Sequence, residues 1–97
     1  MLYERSQEAM LDWQEIVEYT FDQYGVEQTL NYTNKLLGCI ESMAKGSGYF
    51  KEIEVKGRTV RVKHCQKHYI FGWVRADKPL LVIALFHEHM DLMSRLA

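Results

Sequence analysis

At Gly46-Ser47-Gly48 the chain changes its period, and that change constrains the fold more than any other feature. Upstream of it apolar residues recur at helical spacing, and downstream they alternate as strand residues do. After a short extended start from Leu2 to Arg5, Ser6 can cap a helix with Glu8 in its first turn. The body of that helix reads Met10, Trp13, Ile16, Val17, Thr20 and Tyr24 along one apolar stripe, with Asp12, Glu15, Glu18 and Asp22 on the other sides. Gly25 supplies the positive φ at which such a helix ends. A second helix is predicted from about Val26 to Ala44, with Leu30, Leu37, Ile40 and Ala44 on one stripe and Tyr32, Leu36, Cys39 and Met43 beside it. A connection this short makes the two helices antiparallel neighbours.

Beyond the glycines, the stretch from Tyr49 to Val55 alternates in part, and Lys56-Gly57 is a candidate tight hairpin turn. The stretch from Arg58 to Lys63 puts Val60 and Val62 on one face and Arg61 and Lys63 on the other. Tyr69 to Arg75 and Leu80 to Phe86 are apolar on both faces, as central strands are, and Ala76-Asp77-Lys78-Pro79 joins them. The expected class is therefore α+β: an N-terminal helical hairpin packed on a small, mainly antiparallel β-sheet. At 97 residues this is one domain, spanning 1–97.

No apolar run reaches the roughly 18–20 residues that cross a bilayer. The N-terminus carries charges where a signal peptide needs an apolar core, so the expected compartment is the cytoplasm and no membrane partner is implied. Cys39 and Cys65 match no zinc or redox spacing, and in that compartment both are expected to be reduced.

Charge divides the chain. Residues 1–45 hold three basic and eight acidic residues, a balance of −5, whereas residues 46–97 hold nine basic and five acidic, a balance of +4. Between Lys56 and Arg75 lie six cations (Lys56, Arg58, Arg61, Lys63, Lys67, Arg75), two histidines and no carboxylate. Such a tract suits binding of phosphates or of an acidic protein segment; its plainer reading is an exposed strand kept soluble by charge. The whole chain lacks the high pI of a dedicated nucleic-acid binder, so direct sequence-specific DNA binding is not expected.

His87 and His89 fall on the same side of a continuing strand and could chelate a metal, with His64 and His68 nearby. No anchoring element completes a zinc site, however, and no metal or other cofactor is expected. As an acid or base, His87 or His89 could serve RNA cleavage. The aromatics Trp13, Tyr19, Phe21 and Tyr24 on the first helix, and Tyr69, Phe71 and Trp73 along one sheet face, read as packing between helix layer and sheet rather than as a stacking platform.

Several words of the chain, in order, carry a resemblance: DWQEIVEYTFDQYG with Asp12, Ile16, Tyr19 and Gly25; Tyr32; Arg61 seven residues ahead of His68 in RVKHCQKHYIF; and FHEHMD. With these the chain resembles the RelE/ParE superfamily of bacterial toxins, and within it the ParE branch, from about Ser6 to Asp91. The resemblance implies the RelE/ParE toxin fold and the toxin component of a type II toxin–antitoxin system. A ParE-like toxin inhibits DNA gyrase, blocking replication, and is neutralised by its cognate antitoxin, for which a short acidic protein would suit the basic half. Such a toxin binds a gyrase subunit and breaks no bond, so no catalytic residue is expected. The alternative is a RelE-like ribosome-dependent mRNA endoribonuclease. That branch's pattern is incomplete here, since Ala84 stands where many relatives have an arginine, Gly72 where a tyrosine is common, and no tyrosine follows Tyr69. The expected target- or antitoxin-binding residues are Arg58, Arg61, Lys63, His87, Met90 and Asp91.

Overall fold

The computed structural model describes residues 2–89. In chain order it contains β1 (Tyr3–Arg5), α1 (Gln7–Lys45), β2 (Lys51–Val55), β3 (Arg58–Cys65), β4 (His68–Trp73) and β5 (Leu80–His87). The strands form one sheet in the order β1-β5-β4-β3-β2. All neighbours are antiparallel except β1, which lies parallel to β5 with Tyr3 opposite Leu80. Parallel neighbours need a long crossover, which α1 and the rest of the sheet supply.

Ser6 joins the first strand to the helix. Its amide donates to Val82 O at 2.9 Å, and its hydroxyl accepts from Ala9 N at 3.1 Å, so one residue closes the β1–β5 pairing and caps α1. Inside α1, Gly25 adopts φ 85° and ψ −176° and breaks the helix into two arms. The expected hairpin is therefore present, but its reversal uses a single glycine and no loop. At the far end Gly46 takes the left-handed conformation, its N–H reaching Met43 O at 3.1 Å.

Both arms bury one stripe against one face of the sheet. Ala9 and Ile16 from the first arm, and Leu36, Ile40 and Met43 from the second, share a core with Cys65, Ile70, Leu80, Val82 and Leu85. Leu36 and Met43 are fully buried, so truncating either to alanine removes about 2–5 kcal/mol. Alternate residues of the same strands build a second cluster on the other face, from Val60, Phe71, Ala84 and Phe86. Between Phe71 and Gly72 the β4–β5 register slips, Phe71 facing Ala84 and Gly72 facing Val82. Ile83 is the extra residue, and the slip lets Val82 and Leu85 both reach the helix side.

Three expectations need correction. Tyr69 and Phe71 pack on the far face rather than under the helices, because Ile70 takes the inward position. Tyr19, Phe21 and Tyr24 are not core residues, being 61%, 52% and 61% exposed. The buried stripe of the first arm runs instead through Ala9, Asp12, Ile16 and Thr20. The two cysteines are joined, Cys39 to Cys65, with Cα atoms 6.5 Å apart. Their sequence spacing carries no hint of this; the tie follows from the second arm crossing the end of β3.

Candidate functional site

A trough of about 730 Å³ opens where the hairpin arms overhang the β3–β4 turn and the exit of β5. Its floor includes Ile16, Thr20 and Leu85, its rim Tyr19 and Tyr24, and its inner end Tyr32, Lys67, His68 and His87. The first arm is held over β5 by Asp12, a buried carboxylate that accepts the Leu85 amide at 3.1 Å. Thr20 is buried too, but its hydroxyl donates back to Ile16 O at 2.7 Å, so it adds no open polar group to the floor.

The inner end is a hydrogen-bonded chain that joins the second arm to the sheet. The Tyr32 hydroxyl accepts from Lys67 N at 3.1 Å and lies 2.6 Å from Nδ1 of His68. With one proton to give and a second lone pair to accept with, the hydroxyl can serve Nδ1 of His68 in either imidazole tautomer. Desolvation first, and then the neighbouring His87, lower the His68 pKa to about 4, and Glu88 opposes them weakly. Burial also raises the Tyr32 hydroxyl above its ordinary value. His87 stands opposite His68 in the β4–β5 register, with ring centroids 5.3 Å apart and edge to face. The His89 amide donates to Nδ1 of His87 at 3.2 Å.

Nδ1 of His68 is engaged with the Tyr32 hydroxyl and Nδ1 of His87 accepts the His89 amide, so neither of these two nitrogens is open to the trough. A metal needs the lone pair, and among the described residues no group of three or more His, Cys, Asp or Glu is placed to hold one. Glu88 turns instead to His64 on the far face, at 3.0 Å, where His64 stacks on Tyr69. Lys35 and Lys67 line the trough together with the carboxylates Asp12 and Glu15 and the tyrosine rings, so its charge is mixed, with the lysines on the second arm and the β3–β4 turn and the carboxylates on the first arm.

The residues expected from sequence are not gathered in one place. Arg61 lies on the helix side of β3, where its guanidinium donates to Met43 O at 2.7 Å, meets Glu52 at 3.2 Å and lies over the Phe50 ring. It completes the C-terminal end of α1, whose last carbonyls have no helical partner. Lys63, on the same side, donates to Tyr49 O. Arg58 is on the opposite face, its guanidinium 3.9 Å from the centre of the Trp73 ring. Arg75, another member of the basic tract, pairs with Glu4 of β1 and with Pro79 O. His87 alone of the expected set lines the trough; Met90 and Asp91 lie outside the described residues. Tyr19 and Tyr24 at the rim and Lys35 inside were not expected as site residues, whereas Lys67 was a member of the basic tract. Tyr19 had a signal, since it lies off the Ile16–Thr20 stripe.

Comparison with known proteins places this geometry in context. A family described as the ParE toxin of the type II toxin–antitoxin system, parDE, matches residues 3–92. A relative from Escherichia coli, described as toxin ParE, is 41% identical over 90 residues, covering 93% of this chain and 87% of that one. A solved chain from the chromosomal ParDE TA system of P. aeruginosa superposes with a TM-score of 0.71, covering 88% of this chain and 92% of that chain. At 15% identity that likeness concerns the fold.

Proposed function

The chain belongs to the ParE toxin family of type II toxin–antitoxin systems, and from that premise we propose that it stalls a DNA gyrase subunit by binding it and is silenced by a cognate antitoxin. The toxin is a ligand of its target in the cytoplasm, not a catalyst. The observation that carries this reading is the open trough with a bare tyrosine rim and an apolar floor, a seat for a peptide segment rather than for a reacting phosphate. A short acidic antitoxin segment fills it, placing carboxylates near Lys35, Lys67 and the imidazoles. His87 is then a contact inside the trough, and Arg58 beside Trp73 is a contact on the far face for an antitoxin that wraps the sheet. Lys63 and Arg61 lie on the helix side, where Arg61 supports the helix end, and they belong with Met90 and Asp91 to the same proposal.

A second reading, ribosome-dependent mRNA cleavage, draws on the two imidazoles and two ammonium groups that line one trough. It is the weaker one. His68, with its pKa lowered to about 4, is neutral at physiological pH and a poor base, and its Nδ1 is already engaged with the Tyr32 hydroxyl. Arg61, the cation that would steady a phosphorane, is bound to the helix end.

The two readings separate in one experiment. Purified toxin is added to gyrase with relaxed plasmid, and separately to programmed ribosomes, each with and without a candidate antitoxin, a short acidic protein. Loss of supercoiling, restored by the antitoxin, is expected. Intact supercoiling with mRNA cut in the ribosomal A site would reverse the assignment. His87→Ala should weaken antitoxin binding without the roughly 10²–10⁴-fold rate loss that removal of an acid–base group brings.

A further inference from the structure

The inner end of the trough is bounded by walls that belong to two different elements. On the second arm Gln28, Tyr32 and Lys35 line it, and Cys39 follows Lys35 by one helical turn on the same side. On the sheet Gln66, Lys67 and His68 line it at the β3–β4 turn, and Cys65 directly precedes them. The Cys39–Cys65 bond therefore ties the two walls together just beyond the end of the trough. Tyr32 adds a polar tie between the same walls, its hydroxyl meeting Lys67 N at 3.1 Å and His68 Nδ1 at 2.6 Å.

Apolar packing also holds the arm down, since Leu36 and Ile40 share the core with Ile70 and Leu85. Burial of this kind has no preferred direction, so it docks the arm without fixing its spacing from the turn; a covalent bond fixes that spacing. The two sulfurs differ in access, Cys65 being 3% exposed and Cys39 half-buried. When Cys65 is a thiol it has an acceptor at hand in Lys35 O, 3.6 Å from its sulfur. A low-molecular-weight disulfide is met first by the Cys39 thiolate, which forms a mixed disulfide and releases one small thiol. The Cys65 thiolate then displaces the second small thiol and closes the Cys39–Cys65 bond. Two electrons pass from the cysteines to the small disulfide, and the two protons end on its thiols. A dithiol reverses both steps.

We propose that the Cys39–Cys65 pair is a redox lock on the trough: the closed bond holds the inner end in the shape that receives the antitoxin, and the opened pair leaves that end free to move. This rests on the reading of the trough as the antitoxin seat and adds a regulation of it. A seat held in shape before the encounter gives up less freedom on binding, so the oxidised toxin is held more tightly. The coupling is reciprocal, and an occupied trough favours the closed bond. Because the Tyr32 contacts join the same walls, their loss matters more once the sulfurs are apart.

Affinity for the antitoxin that restores supercoiling is measured by calorimetry on the full chain, oxidised, reduced with a dithiol, and as the Cys39→Ala, Cys65→Ala double variant. Circular dichroism checks that each is folded at the temperature used. The oxidised form is expected to bind at least about fivefold more tightly than the reduced form. The double variant should match the reduced form and ignore the dithiol, and Tyr32→Phe should weaken the reduced form more than the oxidised one. Without antitoxin, relaxation dispersion at the Lys67 and His68 amides is expected in the reduced protein and not in the oxidised one, while the β2 amides stay flat in both. Equal affinities for the two redox forms overturn the inference, and so does flat dispersion at Lys67 and His68 in both. If the antitoxin binds without shifting the amide signals of Lys67, His68 and His87, its seat is elsewhere and the reading of the trough fails. The dispersion result alone then decides whether the bond holds that end of the trough.

Discussion

The Cys39–Cys65 bond gives a prediction with a magnitude that follows from connectivity. The cysteines are 26 positions apart, and the bond ties the second helical arm to the end of β3. Closing a loop of that length in the unfolded chain removes entropy worth about 3.5 kcal/mol at 25 °C. For a chain of this size the melting midpoint should therefore fall by roughly 15 °C on reduction. The measurement is a pair of thermal melts in far-ultraviolet circular dichroism, one on oxidised protein and one on protein reduced in denaturant and refolded under a dithiol. Cys65 is 3% exposed, so the bond lies in the packed interior of the fold. A Cys39→Ala, Cys65→Ala double variant should melt at or below the reduced form and ignore the dithiol. If the oxidised and reduced proteins melt within about 3 °C of each other, either the bond does not form in solution or the denatured chain already holds these segments together, and the entropic reasoning is refuted. In a reducing cytoplasm the reduced form governs, and its stability then rests on the apolar contacts of Leu36, Ile40 and Met43.

Three other perturbations have defined outcomes. Gly25→Ala has free space for the added methyl but forces φ 85° and ψ −176° on an L residue, so chemical denaturation should show a loss of about 1–3 kcal/mol from backbone strain alone. Asp12→Ala leaves the Leu85 amide without its acceptor, which should remove about 1–3 kcal/mol and sharply speed hydrogen exchange at Leu85, with Asp12→Asn milder. His68 should titrate near pH 4 by nuclear magnetic resonance. Because its folded value lies below the ordinary 6.5, the unfolded chain takes up the proton first. The stabilising contribution is thus complete above about pH 6.5 and is lost as pH falls toward 4. A titration midpoint at the ordinary value would mean that His68 is not buried beside His87 in solution.

Much of the architecture was legible because period and punctuation agree. Ser6, Gly46 and the Lys56-Gly57 turn each stand where backbone geometry requires a cap, a left-handed residue or a pair of positive φ angles, 54° and 77° in the turn. The parallel pairing of Tyr3–Arg5 was not legible, since three residues carry no period and their partner lies far along the chain. The facing of Tyr69 and Phe71 was misjudged because a strand buried on both sides shows no alternation to say which side meets the helices. The site was harder still. A run of cations looks continuous in sequence, yet a strand sends Arg58 and Arg61 to opposite faces, and tertiary partners such as Met43 O and Glu4 claim others. Of the described residues in the expected set, Arg58 is exposed on the far face and His87, set against His68 by register, lines the trough, so the set is split between two surfaces.

The reversal at Gly25 has a bearing on how tightly anything could be held there. Side chains on either side of it sprout from helical turns and not from a floppy connector, so their backbone is already immobilised before any encounter. A rim of this kind surrenders little freedom when a segment settles against it, and a few rigid aromatic and aliphatic groups can then give slow release from a small footprint. Lengthening the apex with flexible residues should hasten dissociation even with every original side chain retained.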